Sequence, residues 1–285
     1  MISIIKYFFQ ALIIYSFFLI IKILGLVKSR RLFSYIFKKI GPLIKSNDII
    51  KKNLDIFSDK LSEKEKKSIQ LNMWSNYGKT FVEYIFLKKF KKENSHIEIQ
   101  GKQILDKIRK NNKPVIFISG HFANFEFMSM EITKNKIDLA TIYRPLNNFF
   151  LNPFMEYVRK KYICNNQIKK GRLGVKECIN YLNNNYSIAL MIDQRVSEGD
   201  RIDFFKKKAH TTSLPAQLAI KFNLDIVPIF IVRKQNDSFK MKVYEPINTS
   251  NFKNKSELTK KLNQILENMI SKNPNQWIWT HNRWK

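Results

Sequence analysis

The chain has 285 residues, 44% of them hydrophobic, enough to bury one substantial core without requiring a second domain. Its 51 Lys and Arg against 23 Asp and Glu give a formal net charge of +28, a surface suited to anionic partners such as nucleic acid, acidic protein or the charged face of a membrane. Its two cysteines, Cys164 and Cys178, fit neither a zinc knuckle nor a redox pair, and they leave no disulfide scaffold to expect.

From Tyr7 to Ile21 the chain carries no charge, and its apolar character resumes after Lys22 as far as Val27. Taken as Tyr7 to Val27, the segment is long enough to cross a bilayer with Lys22 snorkelling toward an interface. No small-x-small cleavage site follows it, which argues against a removed signal peptide. Lys28, Arg30 and Arg31, then Lys38, Lys39, Lys45, Lys51 and Lys52, all lie on its C-terminal side, so the positive-inside rule places the bulk of the protein in the cytoplasm. A buried core helix and an in-plane amphipathic helix are the alternatives. This reading divides the chain into a membrane anchor (1–28), a basic juxtamembrane segment (29–61) and a catalytic domain (62–285).

Residues 62–91 read as a long helix opened by Ser62-Glu63-Lys64-Glu65. Beyond it, expected strands at His96–Gln100, Pro114–Ser119, Leu139–Tyr143, Ser187–Asp193, Asp225–Val232 and Lys240–Tyr244 alternate with expected helices. The helices fall at Lys102–Lys110, Asn124–Lys134, Phe149–Lys161, Gly174–Asn184, Pro215–Phe222 and Ser256–Lys272. Alternation of this kind predicts an α/β fold, a mixed or mostly parallel sheet flanked by helices, with active groups gathered at strand ends.

One such end carries chemistry. The apolar run Val115–Ser119 stops at Gly120-His121, and a carboxylate, Glu126, follows five residues later. In a continuous helix that spacing is about 140° of arc, so the two side chains meet only if His121 sits in a strand-to-helix turn, with Asn124 capping the helix. His121 is then a candidate general base and Glu126 its orienter; a purely structural histidine is the alternative. Arg144, after a strand, offers a planar fork for phosphate or carboxylate, or else a salt bridge holding the turn before Pro145. Asp193 ends an apolar strand and faces the cleft or caps a turn, with Gln194 beside it as a neutral hydrogen-bond partner. His210 lies in a Lys-rich loop, His281 between Trp279 and Trp284 reads as packed or as a headgroup contact, and His96 has no evident partner. No serine or cysteine occupies a nucleophile elbow, and no cluster has metal-ligand spacing, so neither an acyl-enzyme nor a metal or other cofactor is expected.

Ser119-Gly120-His121-Phe122-Ala123-Asn124-Phe125-Glu126 resembles the His-x4-Asp/Glu block of glycerolipid-type acyltransferases, in the Gly-His-x-x-Asn-x-Glu form of the bacterial late acyltransferases of lipid A biosynthesis. Tyr143-Arg144-Pro145 is similar to that family's Tyr-Arg-Pro block, and Asp193-Gln194 to its Asp-Gln block. Phe204-Phe205 through Ala209-His210-Thr211-Thr212 resembles its Phe-Phe-Gly-x-x-Ala-x-Thr segment, and Pro274 to Arg283 its Pro-x-Gln-x-x-Trp-x-His-x-Arg ending. Two positions depart from the pattern: Lys206 stands where glycine is usual, so that loop is shaped differently or carries an extra charge, and Asn282 replaces a second basic residue, which weakens a phosphate clamp there.

The resemblance implies an acyltransferase-like fold with an N-terminal anchor and transfer of a fatty acyl group from an acyl carrier protein thioester to a hydroxyl of a lipid A precursor. It implies His121 and Glu126 as the catalytic pair, Asn124, Arg144, Asp193 and Gln194 as substrate contacts, and the bacterial inner membrane as the location, with the catalytic domain on its cytoplasmic side. The same chemistry on a phospholipid, ornithine lipid or glycolipid is the nearest alternative, although the Phe-Pro-Glu-Gly-Thr string of lysophosphatidate-type enzymes is missing. A non-catalytic basic membrane- or nucleic-acid-binding protein is the other. Nucleic acid is not expected as a partner, because the basic residues are dispersed and no RNA-binding signature is present.

Overall fold

The computed structural model describes residues 2–44 and 46–285; Lys45 of the basic segment lies outside them. Helix α1 (Ile2–Ile44) is broken at Gly25, whose φ of 76° and ψ of 170° suit only glycine. The break frees backbone groups, and Ser29 Oγ donates to the Ile21 carbonyl at 3.2 Å to satisfy one of them. Before the break the helix exposes Phe8, Phe9, Leu12, Ile13, Leu19 and Ile23, while Ala11 and Ile21 turn inward. By length and composition alone, α1 can cross a membrane.

Beyond Gly25, α1 runs against α3 (Glu63–Glu83) at close range: a Cβ on Gly78 would lie 2.2 Å from the Phe33 carbonyl oxygen. Helix α2 (Asn47–Phe57) lies between them in sequence, and α3 opens with a reciprocal capping box between Ser62 and Glu65. A 3-10 turn leads to α4 (Leu87–Lys92). The region 29–61 also feeds the core, with Phe33, Ile50 and Leu54 buried.

The rest is an α/β unit of β1 (Ile97–Gln100), α5 (Lys102–Asn111), β2 (Ile116–Ser119), α6 (Glu126–Lys134), β3 (Leu139–Tyr143), α7 (Asn152–Tyr162), β4 (Asn166–Lys169), α8 (Arg172–Asn183) and β5 (Ser187–Met191). It continues through β6 (Asp200–Phe204), β7 (Lys207–Thr211), α9 (Leu214–Phe222), β8 (Ile226–Arg233), β9 (Phe239–Val243) and α10 (Lys255–Lys272). Seven strands form one sheet in the order β1-β9-β8-β2-β5-β3-β4, parallel throughout except where β8 meets β9; β6 and β7 form a separate hairpin. The expected mixed, mostly parallel sheet flanked by helices is therefore present. Alternation along β2 divides the core: Phe117 packs with Leu105, Phe127 and Val158 of α5, α6 and α7, whereas Ile116 and Ile118 pack with residues of α8, α9 and α10.

The sequence reading lacked three elements: α2, the polar edge strand β4, and the β6–β7 hairpin. The hairpin turns on Phe205 and Lys206, whose φ angles are 50° and 59°, the left-handed pair that matches the strand twist. Lys206 thus accepts the backbone that a glycine would take more easily, and Phe205 N–H is held by Glu267 Oε1 at 2.8 Å.

Candidate active site

Strand β2 is buried along its whole length between β8 and β5, and it delivers His121 at its carboxyl end. The connection to α6 is tightly fixed. Ala123 adopts a left-handed φ of 46°, a conformation that costs about 1 kcal/mol or more and persists only where neighbours impose it. Asn76 Nδ2 and Thr80 Oγ1 of α3 each donate to the Ala123 carbonyl at 3.1 Å, and its N–H donates to the Gln276 carbonyl at 3.0 Å.

His121 is held by Asp193, just beyond neighbouring strand β5. Nδ1 lies 2.7 Å from Asp193 Oδ1, and the His121 backbone N–H donates to Oδ2 at 2.7 Å. Trp277 Nε1 donates to the same Oδ2 at 2.9 Å. Asp193 is fully buried. Burial alone pushes its carboxyl up, but the His121 charge and these three hydrogen bonds outweigh it and hold the group below the usual carboxylate range. An ionised Asp193 can only accept, so Nδ1 carries a proton, and in the neutral form of the ring the lone pair lies on Nε2.

The expected bond from Glu126 to His121 is not the one formed. Glu126 opens α6 and turns toward α7, where its Oε1 accepts from Arg159 Nε at 2.8 Å and Tyr84 Oη at 2.7 Å. The intervening loop places the two side chains on different flanks of the turn, so the strand neighbour reaches His121 and the sequence neighbour does not. Burial and the Glu126 carboxylate keep the Tyr84 phenol protonated. Asn124, expected to touch substrate and to cap α6, is 1% exposed; it donates to Glu83 Oε2 at 2.8 Å and accepts from the Glu126 N–H at 3.3 Å, one residue ahead of the α6 N-cap, Phe125. Asp193 likewise acts on His121 and does not reach the cavity.

That cavity, about 470 Å³, is lined by His121, Glu126, Arg144, Arg159, Lys170 and Gln194 among others. Arg144 and Gln194, expected from sequence as substrate contacts, both line this cavity. Lys170 joins Arg144 at the β3 and β4 ends; burial and the like charge of Arg144 push its ammonium down. His281 also lines it. Its Nε2 accepts from the Arg195 N–H at 2.8 Å, and burial pushes it to about 4, so it is neutral at pH 7. Among the described residues no group of His, Cys, Asp and Glu is placed to hold a metal ion.

Behind the site lies a buried ionic cluster that sequence reasoning missed. Glu83, fully buried, binds Arg30 Nε at 2.8 Å and Arg233, whose Nε donates to Asn76 Oδ1 at 2.9 Å. It joins α1, α3 and β8 to the loop carrying His121. The segment after α10 completes the clasp: Gln276 exchanges two hydrogen bonds with the Arg233 backbone, at 2.8 and 2.9 Å, as a strand would. Arg283 is buried and donates to the His210 carbonyl at 2.6 Å and Thr211 Oγ1 at 2.8 Å, which makes it a structural tie to β7 and not a phosphate contact.

The sequence matches the family described as Bacterial lipid A biosynthesis acyltransferase over residues 2–285. A curated relative, "Lipid A biosynthesis acyltransferase 2" of Shigella flexneri, is 23% identical over 237 residues, spanning 80% of this chain and 74% of that protein. Among solved structures, the 1-acyl-sn-glycerophosphate acyltransferase PlsC of Thermotoga maritima aligns with a TM-score of 0.44 and 13% identity, covering 87% of this chain and 98% of that one. With the match running through every element described, the chain belongs to the bacterial lipid A biosynthesis acyltransferase family.

Proposed function

We propose that this acyltransferase moves a fatty acyl group from an acyl carrier protein thioester to a hydroxyl of a lipid A precursor, with His121 as general base. The carrying observation is the Asp193 clasp on Nδ1 and the backbone N–H of His121, which leaves Nε2 free beside the cavity. Nε2 takes the acceptor's hydroxyl proton as its oxygen attacks the thioester carbonyl; the tetrahedral adduct collapses, the C–S bond breaks, and the proton passes to the departing thiolate. Asp193 orients the imidazole and stabilises its cationic form. Arg144 and Lys170 offer positive charge at the mouth for an acceptor phosphate or the developing oxyanion, and Gln194 a neutral contact. Glu126 organises Arg159 and Tyr84 in the cavity wall.

The exposed apolar face of α1 suits an inner-membrane anchor that meets a lipid acceptor laterally, and the basic residues beyond it favour a cytoplasmic catalytic domain. A net charge of +28 favours an acidic carrier protein and anionic headgroups. The test is mass spectrometry of lipids after incubation with defined acyl carrier proteins and candidate acceptors. A single acyl mass increment on a lipid A precursor, absent with His121→Ala, is the expected result; an increment only on phospholipid, ornithine lipid or glycolipid would reassign the acceptor, and near-normal turnover by the variant would remove the general base.

A further inference from the structure

The apolar half of α1 does not stand clear of the catalytic domain. Tyr7 packs its ring on Phe149 and Phe8 on Phe150, with centroids 6.0 and 5.7 Å apart. Further along, Phe18 meets Phe81 of α3 and Phe154 of α7 at 5.3 and 5.0 Å. Two hydrogen bonds fasten the same stretch: Tyr15 Oη donates to the Phe150 carbonyl and Asn148 Nδ2 to the Tyr7 carbonyl, each at 2.9 Å. Across the break at Gly25, Phe33 comes back against Phe17 at 5.5 Å. The helix is thus held from Tyr7 to Ile21, and the loop 144–151 between β3 and α7 holds its outer end.

That attachment limits how α1 can meet a bilayer. At about 1.5 Å per residue, an upright helix with Gly25 at one surface would carry Tyr7 about 27 Å deeper, close to the ~30 Å of a whole hydrocarbon core. Asn148 and Phe149 would go with it, and Arg144 close behind, so an irregular loop and a charged cavity wall would lie in hydrocarbon. The polar residues of α1 fit another orientation. Tyr7, Ala11, Phe18 and Ile21 fall within about 40° of one line along the helix, the line that packs on the domain, and Gln10 and Lys22 lie about 60° to either side of it. The opposite arc carries Ile5, Phe9, Leu12, Leu19 and Ile23, all exposed. Polar flanks below an apolar outer arc are the pattern of a helix lying in the interface. Phe149 is 50% exposed and Leu146 40%, and Phe149 stacks on Phe150 at 4.4 Å, so this apolar loop adjoins the helix at its Phe8 flank.

We infer that α1 does not cross the membrane but lies along one leaflet, and that the side chains of Leu146 and Phe149 enter the same leaflet beside it. The partner is a lipid surface with anionic headgroups, which exposed Lys6 and Lys22 reach from the helix and Lys28 and Arg31 from beyond the break. Because Arg144, Pro145, Leu146 and Asn147 also line the catalytic cavity, the loop holds one wall of that cavity at headgroup level, where a lipid enters without leaving its leaflet. The inference rests on the anchoring part of the reading above and not on the transfer chemistry. It puts the N-terminus and the catalytic domain on the same side of the membrane.

The first measurement uses the full chain in a bacterial membrane. Lys6→Cys, exposed near the start of α1, and Lys260→Cys, exposed on α10, are treated with a membrane-impermeant maleimide in intact and in lysed spheroplasts; buried Cys164 and Cys178 give the background. Both positions should label in the same preparation. Labelling of Lys6→Cys in intact spheroplasts, with Lys260→Cys labelled only after lysis, shows a crossing helix and overturns the inference. The second places the purified full chain on vesicles of phosphatidylethanolamine and phosphatidylglycerol, with an environment-sensitive fluorophore on Phe149→Cys. Its emission should shift to the blue and be quenched by lipids brominated near the glycerol end of the acyl chain, while the same probe on Lys260→Cys stays unchanged. A probe at Phe149→Cys that bromine does not quench overturns the insertion of the loop, and one that instead cross-links to a second copy gives this face to a dimer and overturns it equally. Neither measurement reads acyl transfer: a protein inactive on every lipid A precursor leaves this topology standing, and a crossing helix leaves the proposed chemistry standing.

Discussion

At the scale of single residues, the geometry assigns His121 and Asp193 to one unit. Asp193→Asn keeps the shape but cannot hold the same tautomer, so kcat should fall by about 10²- to 10⁴-fold with the fold retained, as read by steady-state rates and circular dichroism. Glu126→Gln acts elsewhere: it weakens the pairing of half-buried Arg159 and should lower stability by about 1–3 kcal/mol in urea unfolding. His281 sets a pH dependence. Its folded value of about 4 lies below the ordinary 6.5, so the unfolded chain binds the proton first and stability falls as pH drops from 6.5 toward 4, by about 3 kcal/mol in full. His281→Gln, which keeps an acceptor for the Arg195 N–H, should flatten that slope in denaturation curves at pH 7 and 5. Asp193, depressed in the fold, adds its loss at lower pH, as acid protonates it through its folded value. His121 was legible as a candidate base because an apolar strand ends at it. Its partner was not, because Asp193 lies 72 residues away and contacts His121 only once β2 and β5 lie side by side.

Among elements, those with strong apolar runs were legible and those without were not. Strands β2, β5 and β8 are buried on both faces and read as continuous hydrophobic stretches. Strand β4 reads Asn-Gln-Ile-Lys, polar because it lies at the edge and, at Gln167, lines the cavity. The hairpin β6–β7 was hidden by its turn, where the usual glycine is Lys206. Relieving that left-handed residue by Lys206→Gly should stabilise the protein by about 0.5–1 kcal/mol, seen as a rise of a few degrees in Tm. No decrease in transfer is expected, since Lys206 does not line the cavity.

For the molecule as a whole, the long-range ties come from polar residues whose spacing carries no periodic pattern. Glu83 reads as one more charge on a long helix, yet it is fully buried between Arg30 and Arg233. Glu83→Ala leaves two guanidinium groups without their anion inside the fold and should cost about 3–5 kcal/mol in urea unfolding. The same loss should loosen α1, measured as faster proteolysis near Gly25. The Trp277 indole has a further consequence, one of timing. It is the last of the groups on Asp193 to be synthesised, and the Asn53 amide that fixes Trp279 and His281 has waited more than two hundred residues for them. A nascent chain therefore lacks the full set of hydrogen bonds on Asp193 until residue 277 arrives, so His121 is held in its final geometry only near the end of synthesis.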